Sequence, residues 1–339
     1  MTFKLPVLSL VRHHAIRKLF IGLACILASS TALAWDALGH RLTGYLAYDQ
    51  LNDQQKAFWM ETLRAHPRFQ EDFVDAMPAD ITAQSIGDRD RWQFGQAAIW
   101  PDIARGFDGF DEQRFHFPDR HWINGAWVRA DVPLHGNIYL NTPPWPDIHG
   151  PADSEINRQS QADNVLTGLV YARWVLQNNP DAAERAVALS WLLHLIGDIH
   201  QPLHTGALVT PRLFADGDRG GNSTRVDGSN LHAVWDQALR GPSISANLRE
   251  LNDILRSLAG TRDESGPGLW LLESRQILHS SVYPAAVIAN VQRSENTGTS
   301  PEDVTLGDDY RREMRAIALQ RIAQAGVRIT HTLQSLSPE

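Results

Sequence analysis

Apolar residues recur at three- and four-residue spacing along most of the chain, the signature of helices that bury one face. The pattern predicts helices around residues 40–51, 53–65, 153–178, 181–200, 244–258, 268–292 and 306–334; Leu166, Leu169, Val170 and Trp174 illustrate the register. Alternating strand patterns are scarce, so the expected fold class is mainly α, a single compact helical domain with long irregular loops. Two stretches break the periodicity, residues 131–153 and 205–230, both rich in Gly, Pro, Asp and Asn. Loops of that length inside a compact domain usually carry function. There is no internal repeat, heptad run or low-complexity linker, and residues 35–339 read as one domain whose last few residues fray.

The amino-terminal 34 residues follow a different pattern. Lys4, Arg12, Arg17 and Lys18 precede the apolar run "LFIGLACILASSTALA", which closes on the small residues Ala32 and Ala34. This is the layout of a secretory signal peptide cleaved between Ala34 and Trp35, giving a secreted or periplasmic product. The run is short for a membrane span, so no stable membrane anchor is expected.

Removing that leader changes the chemistry available to the rest. Cys25 is the sole cysteine, so the mature chain has neither disulfides nor thiolates, and any metal must be held by His, Asp or Glu. The mature chain keeps 27 basic against 39 acidic side chains, a net charge near −12. That balance argues against a broad basic docking face for nucleic acid, although bound metal ions could supply positive charge locally.

The candidate chemistry centres on "HLIGDIHQPLH", His194 to His204. On a helix, His194 and Asp198 are four residues apart and project from one face, and Pro202 then ends the helix and swings His204 toward the same cavity. "NLHAVWD" repeats the spacing with His232 and Asp236 after an Asn230 cap. Asp102, His121 and His40 are further donors. Several ionisable groups in one core are costly unless a metal compensates them, and a His and carboxylate set suits zinc better than manganese or iron.

Together, Trp35 five residues before His40, "WPDIAR", "HWIN", "HLIGDIHQPLH", "GGN" and "NLHAVWD" resemble, in order and over about 200 residues, the zinc-dependent single-strand nucleases of the S1/P1 type. The resemblance implies a fold like nuclease P1 and phospholipase C, and three zinc ions. One would be held by Asp102, His121, His194 and Asp198. A second would take the free amine and carbonyl of Trp35 with His40, sharing Asp198. The third would be held by His204, His232 and Asp236, with positions left open for water and substrate. The implied activity is endonucleolytic cleavage of single-stranded DNA and RNA to 5′-phosphorylated products, with 3′-nucleotidase activity as a possible companion, by a monomer with no protein partner. Asp102, Arg105 and Asp198 would serve catalysis, and Trp122, Asn124, Gly221 and Asn222 would contact the nucleobase. His200 lies in the motif without being a ligand. The rival is a zinc phospholipase C acting on lipid phosphodiesters, which shares the helical fold but carries Glu where this chain has Asp236.

Overall fold

The computed structural model describes residues 35–128, 138–139, 162–258 and 266–338. The leader and the loop at 131–153, apart from residues 138–139, lie outside them, as do His135 and His149.

Helices dominate, and those that carry the site begin on side-chain oxygens that satisfy the free N–H groups of a first turn. Asp36 caps α1 (Ala37–Gln50), accepting from the Leu38 and Gly39 amides. Ser85 caps α4 (Ile86–Ile103), Asn164 closes a capping box on α6 (Val165–Asn178), and Asp181 caps α7 (Ala182–Ile199). The first helix is followed by α2 (Asp53–Arg64), and two short helices, α3 (Ala79–Thr82) and α5 (Gly109–Phe115), flank α4.

The helix α4 escapes a search for amphipathic period, and the structure explains why. Residues Trp92 to Pro101 are buried on every side of the helix, so there is no polar stripe to reveal the turn. From Ala186 onward α7 is likewise buried all round. These two helices pack on each other and form the centre of the molecule, with α1 and α6 against them and α12 (Asp308–Leu336) against α1. One apolar cluster fills the space around Trp59, Phe94, Trp100, Leu193 and Ile196; another, around Trp35, Leu46, Trp235 and Ile322, lies beneath α9 (Ile244–Leu258) and α11 (Ala285–Thr297). The described residues cluster as one compact unit.

Two expectations are corrected. The predicted helix at 268–292 is two helices, α10 (Pro267–Ile277) and α11, because Tyr283 precedes Pro284 and takes extended backbone as that position demands. The stretch at 205–230 is not wholly irregular. Its Gly206–Val209 segment, β3, pairs in parallel with β1 (Asn124–Val128), which also pairs with β2 (Ile138–Tyr139). Farther along, β4 (Arg225–Val226) and β5 (Ser229–Asn230) form a hairpin whose turn residues Asp227 and Gly228 both have positive φ, the tight turn that Asp-Gly favours. The hairpin leads straight into α8 (Leu231–Asp236), capped by Asn230. Among the described residues no helix is long and apolar enough to cross a membrane.

Candidate metal centre

Five side chains from four parts of the chain meet around Asp198 in the buried end of α7. His40 Nε2, from α1, lies 3.3 Å from Asp198 Oδ1. His121 Nδ1 and His194 Nε2 lie 3.1 and 3.2 Å from Oδ2, and 2.9 Å from each other. Asp102, near the end of α4, comes within 3.8 Å of both imidazoles and is held by Arg105 at 2.8 Å. Helix packing sets these distances. The His40 ring stacks on that of His194 at 4.0 Å, and a Cβ at Gly197 would sit 2.7 Å from His40 Nδ1, so only glycine lets α1 approach α7 this closely.

A second group forms where the chain leaves α7. The turn Pro202–His204 and the short α8 bring His204 Nε2 within 3.1 Å of His232 Nε2, and His232 Nε2 within 3.5 Å of Asp236 Oδ2. The Gly220 carbonyl holds the other nitrogen of His232 at 2.6 Å. Gly220 has φ +59, and a Cβ there would press on the Leu203 carbonyl at 2.3 Å, so the Gly220-Gly221 pair is required by this turn. Among the described residues three sets form, each with its ligand atoms within 4.8 Å of one another: His40, His194 and Asp198; Asp102, His121 and His194; and His204, His232 and Asp236.

The hydrogen bonds test whether cations fit. His204 and His232 each give their Nδ1 proton to a backbone carbonyl, that of His121 and that of Gly220, and a carbonyl can only accept. In neutral rings Nε2 is therefore the acceptor nitrogen of each, and the two face each other near the Asp236 oxygen. His194 repeats the arrangement, with Nδ1 donating to the Ala98 carbonyl and Nε2 turned toward His121 and Asp198. His121 Nε2 and His40 Nδ1 are buried without a hydrogen-bond partner among the described residues. Buried imidazole nitrogens and carboxylate oxygens converging in this way fit a cation.

The two groups differ in their electrostatics. Burial works to raise the Asp198 carboxyl, but His194, His121 and His204 outweigh it and hold it well below the usual range. Asp102 is lowered in the same way, against burial, by His194, Arg105 and His121. Burial and the Arg105 charge push the His121 imidazole down to about 3. Asp236 goes the other way. Burial drives it well above its ordinary value, and Asp36, Asp102 and Asp198 add to the rise while a hydrogen bond from Gln201 opposes it.

The remaining expected residues are placed as follows. Trp35 is fully buried, and the next residue, Asp36, donates its amide to the Asp236 carbonyl, which docks this end of the chain beside the His204 group. Trp122 is half-buried next to His121. Asn124 opens β1, its side chain lying outside the described residues. Gly221 is buried with φ +83 beside the His232 amide, and the Asn222 amide donates to the Arg219 carbonyl within its own turn. His200 is no ligand here: one nitrogen is bound to the Ile196 carbonyl and the other to Arg328. Gln201, a residue that pattern reading passed over, touches the site directly; its signal is its place between two histidines of one motif.

The sequence also matches known proteins. A family model described as S1/P1 Nuclease matches residues 35–337. Endonuclease 4 of Arabidopsis thaliana is 27% identical over 288 residues, covering 80% of this chain and 85% of its own, and Endonuclease 3 of the same plant is 29% identical over 292 residues, covering 80% and 84%. Nuclease S1 of Aspergillus oryzae is 24% identical over 225 residues, 65% of this chain and 59% of its own. The phospholipase alternative gains nothing from these matches. With the family model spanning every helix that bears a His or Asp of the centre, the chain belongs to the S1/P1 nuclease family, metal-dependent enzymes that hydrolyse phosphodiesters.

Proposed function

We propose that the protein is a secreted, zinc-dependent endonuclease with three zinc ions, which cleaves single-stranded DNA and RNA to 5′-phosphorylated products and has 3′-nucleotidase activity. The observation that carries this reading is the convergence of three buried His/Asp groups, each with its ligand atoms within 4.8 Å of one another. Asp102, His121, His194 and Asp198 would hold one ion, His40 with the Trp35 amine and carbonyl a second, and His204, His232 and Asp236 the third. When bound, such ions lower the pKa of water toward neutrality and act as Lewis acids on phosphate oxygens.

The chain's own groups then have distinct tasks. The Arg105 guanidinium, held by Asp102, is a fixed positive charge that offsets the charge building on a reacting phosphate. The carboxyls of Asp102 and Asp198, held below the usual range by His194 and His121 and, for Asp102, also by Arg105, favour the charged form that a cation needs. Trp122 offers a stacking face worth about 1–3 kcal/mol per base, one that unpaired bases reach more readily than paired ones. Asn124, Gly221 and Asn222 complete the base contact.

Incubating the mature protein with single-stranded DNA, RNA, duplex DNA and a choline phospholipid, each with and without chelator, tests the reading. Chelator-sensitive cleavage of the single strands with the phospholipid intact is expected; chelator-resistant cleavage would overturn it. Cleavage after Ala34 would also free the Trp35 amine, so a chain keeping one extra residue before Trp35 is expected to lose most activity and some zinc.

A further inference from the structure

Gln201 is fully buried and uses both ends of its amide. Its Oε1 accepts the Leu203 N–H at 2.7 Å and so caps the turn Pro202–His204, while its Nε2 donates to Asp236 Oδ1, also at 2.7 Å. The orientation is forced. A flipped amide would set oxygen against a carboxylate oxygen and an NH₂ against a backbone N–H.

The consequences fall on two members of the His204, His232 and Asp236 group at once. The cap fixes the turn on which His204 sits, and the His204 amide closes it by donating to the Gln201 carbonyl at 3.0 Å. The hydrogen bond to Oδ1 pins the Asp236 carboxylate so that its other oxygen, Oδ2, is the one facing His232 Nε2. The two residues lie 35 positions from Gln201 at one end and three at the other, and no other described hydrogen bond links the turn to Asp236 through a side chain. The Gln201 backbone is anchored in its turn, with its amide donating to the Asp198 carbonyl at 2.9 Å.

We infer that Gln201 is a positioning residue dedicated to one of the three metal positions, setting the mutual placement of His204 and Asp236 while leaving the Asp198-centred positions untouched. This rests on the metal reading proposed above. Groups that orient ligands from behind typically contribute 10–100-fold in metal affinity.

Two variants separate the ends of the amide. Gln201→Met keeps the length and removes both hydrogen bonds. Gln201→Glu keeps the acceptor for Leu203 and places a like charge against Asp236. Metal-free protein is titrated with zinc against a competing chelator, and zinc per chain is counted by elemental analysis, with thermal melting of the metal-free forms alongside. The wild type is expected to take three equivalents. In both variants one equivalent weakens about 10–100-fold and two keep their wild-type affinity, and activity lost at limiting zinc returns at excess zinc.

Three equivalents of unchanged affinity in the variants would overturn the assignment. So would a parallel weakening of all three with a lowered melting temperature, which marks a merely structural role, or a gain of affinity in Gln201→Glu. If Gln201→Met does not fold, Gln201→Glu decides alone. A wild type that takes no zinc would instead refute the metal reading itself, before any variant is compared.

Discussion

The Asp198-centred group and the His204 group use the same residue types and reach opposite electrostatic solutions. In the Asp198 group His40, Asp102, His194 and Asp198 stand on long helices, α1, α4 and α7, that are packed on one another, with His121 on the short turn Pro118–His121, and neighbouring imidazoles hold the Asp102 and Asp198 carboxyls below their usual range against burial. The other group stands on a three-residue turn and a six-residue helix, and its carboxylate faces other carboxylates as well as burial, so Asp236 is pushed well up. The second group takes its shape from props such as the Gly220 carbonyl and Gln201.

Substitution at the shared carboxylate breaks the comparison most severely. Asp198→Asn removes the charge that His40, His121 and His194 all face, and zinc per chain is expected to fall from three to one with activity down on the order of 10³-fold, read by elemental analysis and a single-strand cleavage assay. Retention of three ions would mean that the two groups are not electrostatically distinct. Asp236→Asn touches only the second group: one equivalent lost and a rate about 10–100-fold lower. Arg105→Ala leaves the ligand count intact and is expected to cost about tenfold in kcat, near 1.4 kcal/mol, with the zinc content unchanged.

The smallest effect on activity concerns a histidine outside both groups and separates acid damage to the fold from acid loss of metal. His66 packs edge-on against Trp100 and against Phe73, and burial lowers its imidazole to about 3. Between pH 6.5 and about 3 the unfolded chain takes up a proton there that the folded chain refuses. The stability it contributes is thus complete above pH 6.5 and falls as the pH drops toward 3, by on the order of a few kcal/mol. His66→Phe, which keeps the aromatic packing, is expected to flatten that acid limb in urea melts while neutral-pH activity is unchanged. An identical limb in the variant would assign the acid loss to the metal groups.

Much of this was legible before any coordinates. The paired His-x-x-x-Asp spacings fixed His194 with Asp198 and His232 with Asp236, because a helix places such pairs on one face whatever surrounds it. The helices at 53–65, 181–200 and 306–334 were visible as periodic apolar stripes or long apolar runs and lie at 53–64, 182–199 and 308–336. The buried α4 was not, since a helix wrapped on all sides has no polar face to set the period, and the parallel pairing of β1 with β3 joins residues about 80 apart through strands too short to show alternation.

What the sequence determined by itself was therefore the kind of protein: a mainly helical chain whose one cysteine, Cys25, lies far from the histidine motifs, carrying enough imidazole and carboxylate in fixed local pairs to hold metal. Only the tertiary structure decided which pair meets which. Local spacing acts over one helical turn, whereas the meeting of His40 with Asp198, the facing Nε2 atoms of His204 and His232, and the two-ended grip of Gln201 depend on distant segments packing at specific separations.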